Sequence, residues 1–434
     1  MSEQRSRREF LRDAALTGVG LMATEAAWAK PKSPNETVNF ACIGVGGKGG
    51  SDSSDAGRLG NIVAICDVDE NTLNRAALKW PDAKKYTDYR KMFDEMAKSI
   101  DAVTVSTPDH HHAIAASMAL HHGKHCFCQK PLTHNIWEAR HLGDLAREKK
   151  LATQMGNQGT ADSSRRRSVA LVQAGALGTV TEVHVWTNRP IWPQGGPRPA
   201  PATPPENLHW DLWLGPAPER PYGVGAYHTF AWRGWWDFGT GALGDMACHT
   251  VNLPFQALDL RNPISVVAES GGHNKDSYPK WSIIHFQFPA TAKRPAVAMT
   301  WYDGGKMPSQ DLVPGVKYSD SGSLIVGDKG KLYTPGDYGG GGRVIGGVDV
   351  GEVKYPESPG HFEEFIRAIK GGEPAMSNFP NYAGPLTETI LLGNLAVWAE
   401  GKKIDWDAKN LRAKNAPEVS QMIRPKYRSG YSLG

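Results

Sequence analysis

One hexapeptide constrains this chain more than any other feature: Gly44-Val45-Gly46-Gly47-Lys48-Gly49, directly behind the apolar run Val38-Asn39-Phe40-Ala41-Cys42-Ile43. A second apolar run, Ile62-Val63-Ala64-Ile65-Cys66, follows and ends in Asp67. Strand, G-x-G-x-x-G turn, short helix and a strand closed by a carboxylate form the dinucleotide-binding fingerprint, in which bare backbone N–H groups face a pyrophosphate. Gly44 permits the tight turn, and Gly46 lets the backbone approach the phosphates. Gly47 and Lys48 complete the loop, and Gly49 lets the helix pack closely on the strand. Asp67 is suited to accept hydrogen bonds from the adenosine ribose and to repel a 2′-phosphate, and Val68 rather than Arg follows it. The expected cofactor is NAD, in preference to NADP.

The first residues read as an address. Ser6-Arg7-Arg8-Glu9-Phe10-Leu11-Arg12 matches the twin-arginine export pattern, residues 14–27 are modestly apolar, and Ala27-Trp28-Ala29 supplies small residues for cleavage. Residues 1–29 are therefore expected to be a signal peptide, with a mature periplasmic chain starting near Lys30. No later stretch reaches the roughly 20 apolar residues that a stable membrane span needs. At 434 residues the chain exceeds the size at which one core usually suffices. The net charge of +4 is small and no Lys/Arg block is long enough to track a phosphate backbone, which argues against a nucleic-acid partner. Five cysteines show no paired framework, and Cys42 and Cys66 fall on predicted strands, where a reduced, buried state is expected.

Strand and helix alternate to about residue 155: a buried strand at 101–107 stopped by Pro108, a helix at 112–123, a strand at 125–129 and a helix at 135–149. This is the doubly wound pattern, and the dinucleotide-binding domain is placed at 36–156. Beyond Asn157 the texture changes. A helix near 165–174, an alternating strand at 180–187 and a proline-rich excursion over 189–221 precede strands near 264–269, 282–289 and 296–302 that follow one another without helices. A second α/β domain at 157–434 with a large open, mostly antiparallel sheet is expected, with helices near 361–370 and 387–400 packed beneath it. The glycine run at 339–342 reads as a flexible loop.

From about Val38 onward the chain resembles the glucose-fructose oxidoreductase/inositol dehydrogenase/MocA (Gfo/Idh/MocA) family, specifically its exported bacterial members. Val105-Ser106-Thr107-Pro108-Asp109-His110-His111-His112 matches the family's T-P-x-x-x-H segment. Gly123-Lys124-His125-Cys126-Phe127-Cys128-Gln129-Lys130-Pro131-Leu132 matches its G-K-H-x-x-x-E-K-P-L segment. The resemblance implies a Rossmann domain, an α/β substrate domain, and NAD(P)-linked oxidation or reduction of sugars and polyols. It places Thr107, Pro108, His112, Gln129 and Lys130 at the cofactor, with His110 to His112 capping the following helix. Gln129 replaces the family's glutamate, which removes a counter-charge and predicts an easier loss of the Lys130 proton.

Hydride transfer from a carbinol needs a group to take the hydroxyl proton and a donor to steady the developing carbonyl oxygen. Lys130 lies at the C-terminal end of a predicted parallel strand, and Asp245 and His249 stand four apart on one helix face, matching the family's D-x-x-x-H pair. His249 is assigned as general base, Asp245 as its orienter and a substrate ligand, and Lys130 as stabiliser of the oxyanion. Trp232, Arg233 and Trp235 suit the C–H faces of a sugar ring or core packing, and Asn157 suits cofactor or sugar contact or a local backbone role. His121, His122, His125, Cys126 and Cys128 lack metal-ligand spacing, so no metal is expected. The resulting expectation is an NAD-dependent oxidoreductase acting on the CH–OH group of a sugar, polyol or derivative, as a homo-oligomer. Two alternatives stand beside it: a glycosidase in which bound NAD oxidises the sugar, elimination cleaves the glycosidic bond and the hydride returns, and a non-catalytic sugar-binding protein with structural dinucleotide.

Overall fold

The computed structural model describes residues 37–434; the expected signal peptide at 1–29 lies outside the described residues. The first sheet is six-stranded and parallel, in the order β3-β2-β1-β4-β5-β6. Its strands are β1 (Val38–Ile43), β2 (Gly60–Cys66), β3 (Lys84–Tyr86), β4 (Ala102–Val105), β5 (His125–Cys128) and β6 (Thr153–Met155). The crossover helices are α1 (Lys48–Leu59), α2 (Glu70–Lys79), α3 (Tyr89–Met96), α4 (Asp109–His121) and α5 (Ile136–Lys149). Helices on both faces explain why β1, β4 and β5 are near-continuous apolar runs. Strand order reverses between β1 and β4, and in such sheets ligands bind in the crevice beyond the carboxyl ends of the strands there. The glycine turn after β1, Asp67 after β2, Thr107 and Pro108 after β4, and Gln129 and Lys130 after β5 all lie along that edge.

The rest of the chain runs α6 (Ser163–Gln173), β7 (Val180–Trp186), α7 (Trp210–Leu214), α8 (Gly241–Thr250), α9 (Asn252–Leu258), β8 (Ser265–Ser270), β9 (Ser282–Phe288), β10 (Val297–Tyr302), β11 (Gly322–Gly327), β12 (Gly330–Pro335) and β13 (Arg343–Gly346). Then come α10 (His361–Ile369), α11 (Gly384–Trp398), β14 (Ile404–Asp407) and β15 (Arg412–Ala413). A nine-stranded sheet forms in the order β13-β12-β11-β7-β10-β9-β8-β14-β15, antiparallel throughout except for the β7–β10 pair. Ile284, Phe286 and Phe288 alternate along β9 into the core shared with Leu386 and Ile390 of α11, while Ile283, His285 and Gln287 point to the other face. The fold is therefore a Rossmann domain joined to an α/β domain with a large, mostly antiparallel sheet.

Two expectations are corrected here. α10 does not lie beneath the second sheet: Phe362 and Phe365 stack against Phe127 and Phe40 of the first, with ring centroids 4.4 Å and 6.5 Å apart. An amphipathic helix shows which of its faces is buried, not which sheet receives it. The 339–342 glycine run is packed rather than free, since Gly341 N–H donates to the Ser164 hydroxyl at 3.0 Å and a Cβ on Gly342 would lie 2.6 Å from the Ser168 hydroxyl oxygen. All five cysteines are buried and free, and burial pushes the Cys42 thiol up to about 12.

Candidate active site

A cleft of about 620 Å³ opens along the carboxyl edge of the first sheet, walled by the glycine turn, Asp67, Thr107, Pro108, Gln129 and Lys130. Its shape tests the fit of a dinucleotide. Gly44 has φ +76°, and a Cβ there would lie 2.6 Å from the Ser106 carbonyl oxygen, so the turn admits only glycine. A Cβ on Gly49 would sit 2.0 Å from the Gly44 oxygen; Gly49 lies behind the wall, where it lets α1 close on β1. Gly47, by contrast, has nothing within 4 Å and borders open cleft. The buried Thr107 hydroxyl on the wall has no protein partner, as expected of a group left for a ligand. Asp67 accepts the Val45 and Asp69 N–H groups, each at 3.0 Å, with lone pairs remaining for ribose hydroxyls. Burial raises its carboxyl above the ordinary value. These residues fit NAD.

The second domain closes the adenosine end. Glu70 N–H donates to the Asn207 oxygen at 2.9 Å and His209 N–H to the Val68 oxygen at 3.0 Å, while His228 reaches Asp69 at 3.0 Å. His228, Thr229, Phe230, Trp232 and Arg233 then form the facing wall. Sequence reasoning read this proline-rich stretch as an excursion, and no local signal showed that it returns to β2.

At the other end, Lys130 Nζ donates to Asp245 Oδ1 at 2.8 Å and to the Asp245 backbone oxygen at 2.7 Å. Arg233 Nε donates to the same Oδ1 at 3.1 Å, its guanidinium stacked 4.2 Å from the Trp232 ring and 4.7 Å from Phe230. Burial alone would raise the Asp245 carboxyl; Lys130 and Arg233 outweigh it and hold it at about 2. His249 lies one turn along α8, buried, its ring edge-on to Tyr338 at 4.9 Å and its Nδ1 without a partner. Burial, then the Lys130 charge, keep this imidazole well below 6.5, so it is neutral.

The expected orienting bond from Asp245 to His249 is absent, because the carboxylate is turned to its two cations. Nor is Lys130 short of a counter-charge: Asp245 supplies it, while the Gln129 amide donates to Asp52 at 2.9 Å. His112 neither caps α4 nor reaches the cleft; its two ring nitrogens lie 2.8 Å and 2.9 Å from the Pro131 and Thr107 oxygens. His110 and His111 turn to the Trp213 oxygen, and Pro108 holds the cap position. Asn157 is fully buried; its carboxamide accepts from the Ser377 hydroxyl and donates to the Cys248 oxygen at 3.4 Å, partners distant in sequence rather than the local backbone groups expected. Trp235 is likewise enclosed, donating to the Ala226 oxygen at 2.8 Å within an aromatic cluster. Sequence reasoning missed Asp109 and Tyr338. Asp109 lines the cleft, and burial pushes its carboxyl up to about 6 against the Thr240 hydroxyl bond; its position directly after Pro108 was the available signal.

The sequence matches two family models: "Oxidoreductase family, NAD-binding Rossmann fold" over residues 38–157 and "Oxidoreductase family, C-terminal alpha/beta domain" over 168–433. The chain belongs to the Gfo/Idh/MocA oxidoreductase family. Among curated members, a glycosyl hydrolase family 109 protein of Shewanella pealeana is 29% identical over 167 residues, 32% of this chain and 37% of that protein. Inositol 2-dehydrogenase of Salmonella typhimurium is 26% identical over 156 residues, 34% of this chain and 45% of that protein. The chain thus spans less than half the length of these Gfo/Idh/MocA relatives. In fold, the WlbA dehydrogenase of Bordetella pertussis, solved with NADH and UDP-GlcNAcA, superposes with a TM-score of 0.61 at 15% identity, covering 86% of this chain and 99% of its own.

Proposed function

We propose that this protein is an NAD-dependent oxidoreductase acting on the CH–OH group of a sugar, polyol or sugar derivative. One observation carries the reading: Lys130 Nζ, at the end of the cleft away from Asp67, is fixed 2.8 Å from Asp245 Oδ1, with the unpartnered Nδ1 of His249 one helical turn beyond. Bound NAD supplies the hydride acceptor. The glycine turn and Asp67 hold its pyrophosphate and adenosine ribose. Lys130, anchored by an ionised Asp245, donates a hydrogen bond to the carbinol oxygen as carbonyl character develops. Neutral His249 has a lone pair with which to take the hydroxyl proton. Arg233 shares Asp245 and keeps the carboxylate from moving toward the imidazole.

The glycosyl hydrolase family 109 relative supports a second reading, in which oxidation is followed by elimination and return of the hydride. Purified full-length protein loaded with NAD and offered free sugars, polyols and aryl glycosides separates the two. Oxidation of a free sugar or polyol raises NADH absorbance, and Lys130→Ala abolishes the rise. Aglycone release without net NADH assigns the glycosidase cycle, and silence in both signals across the panel overturns an enzymatic role. The same reading includes twin-arginine export to the periplasm, supported by the motif at residues 6–12. It also includes a homo-oligomer, supported by the half-buried Val267 and Ile283 on the sheet face away from α11.

A further inference from the structure

Asp52 stands in the second turn of α1 with its side chain fully buried. Three donors from three places converge on it: the Lys48 ammonium at the start of α1, the Ser106 hydroxyl after β4 at 2.7 Å, and the Gln129 amide after β5 at 2.9 Å. Those three places are the ends of the glycine turn and of two strands that wall the cofactor cleft. An ionised carboxylate only accepts, so it decides which end of a neighbouring carboxamide turns toward it. Gln129 Nε2 faces Asp52, which leaves Oε1 on the side of the Lys130 N–H, 3.4 Å away. The amide has no room to settle elsewhere, since a Cβ on Gly156 would lie 2.4 to 2.7 Å from its atoms.

We infer that Asp52 is a positioning residue for the nicotinamide half of the dinucleotide. By clamping Gln129 it presents a carbonyl oxygen, rather than an N–H, to a hydroxyl of the ribose that carries the nicotinamide. A polar side chain fully buried among three donors is costly unless every bond is made, and here each bond joins a different part of the cleft wall. The inference rests on the NAD-binding reading above, with Asp67 marking the adenosine end.

The test is calorimetric titration of cofactor-stripped, full-length protein with two probes, NAD and ADP. ADP spans only the Asp67 end and the glycine turn. In Asp52→Asn the two amides can pair either way round, and NAD binds about 10-fold more weakly, on the scale of one charge-assisted bond. In Gln129→Glu two carboxylates face each other, and NAD binding falls at least as far. The exchange Asp52→Asn with Gln129→Glu restores one carboxylate and one amide with the polarity fixed, and NAD affinity returns to within about 3-fold of wild type. ADP affinity does not fall in any of them, since the Lys48 ammonium released from Asp52 remains at the glycine turn. Wild-type NAD affinity in Asp52→Asn, a parallel fall in ADP affinity, or an exchange variant no better than the singles overturns the inference. If a single variant does not fold, the exchange variant carries the test: folded and binding supports the clamp, unfolded or non-binding overturns it. A wild type that binds no NAD defeats the functional reading itself, whereas a binding wild type with an unrescued exchange defeats only the clamp.

Discussion

Replacing Asp245 by Asn removes a charge while keeping the shape, and its cost can be worked from the site. The carboxylate is the shared acceptor of Lys130 at 2.8 Å and Arg233 at 3.1 Å, and the three side chains are 12%, 15% and 21% exposed, too little for water to replace the pairing. In the folded protein the carboxyl lies at about 2 against an ordinary 3.8, which at about 1.4 kcal/mol per tenfold change corresponds to about 2 kcal/mol of charge-dependent stability. A depressed folded value means that this stabilisation is complete above about pH 4 and drains away as pH falls toward about 2. The assay is denaturant unfolding of wild type and Asp245→Asn in parallel across pH, reading the difference so that other carboxyl groups cancel. At pH 7 the variant is less stable by about 2 kcal/mol, and the gap narrows below about pH 4. Equal stabilities at neutral pH, or a gap that ignores acid, would refute the claim that Lys130 and Arg233 hold this carboxylate.

Three further outcomes are expected. Asp67→Ala weakens NAD binding by about 1 to 3 kcal/mol, because the ribose loses charge-assisted bonds, and titration calorimetry reads this directly; unchanged affinity removes Asp67 from the cofactor site. Gly44→Ala sets a Cβ 2.6 Å from the Ser106 carbonyl oxygen at φ +76°, so NAD retention through gel filtration is lost and the thermal midpoint falls. His249→Ala slows turnover by roughly 100-fold or more with cofactor content intact, the scale of a general base, and wild-type rates on the true substrate would overturn its assignment.

What could be read from the chain was whatever the chain encodes locally. The glycine turn, the strand before it and Asp67 lie within 30 residues and need nothing else to be interpretable, and the Rossmann and α/β architecture followed from runs and alternation of apolar residues. The pair of Lys130 with Asp245 spans 115 residues, and spacing shows only that each stands at the end or on one face of an element. Helical spacing brought Asp245 and His249 to one face, but which partner Asp245 chooses depends on Arg233 and Lys130 arriving from elsewhere. Three consecutive histidines were expected to cap α4, with His112 at the cofactor, but their ring partners are backbone oxygens supplied from elsewhere in the fold. His110 and His111 both turn to the Trp213 oxygen, 103 and 102 residues on, while His112 bonds the Pro131 and Thr107 oxygens. Tyr338 hid beside the glycines that let its loop pass close to α6.

The second-domain strand of chain that crosses from Asn207 to Arg233 is bonded to Val68, Asp69 and Glu70 and forms one wall of the cleft. A dinucleotide lying in that cleft cannot leave sideways at the adenosine end without those contacts parting. The wall at the adenosine end is thus built by both domains, so a substitution that loosens the second domain's hold on the turn after β2 reaches the cofactor without touching the glycine turn.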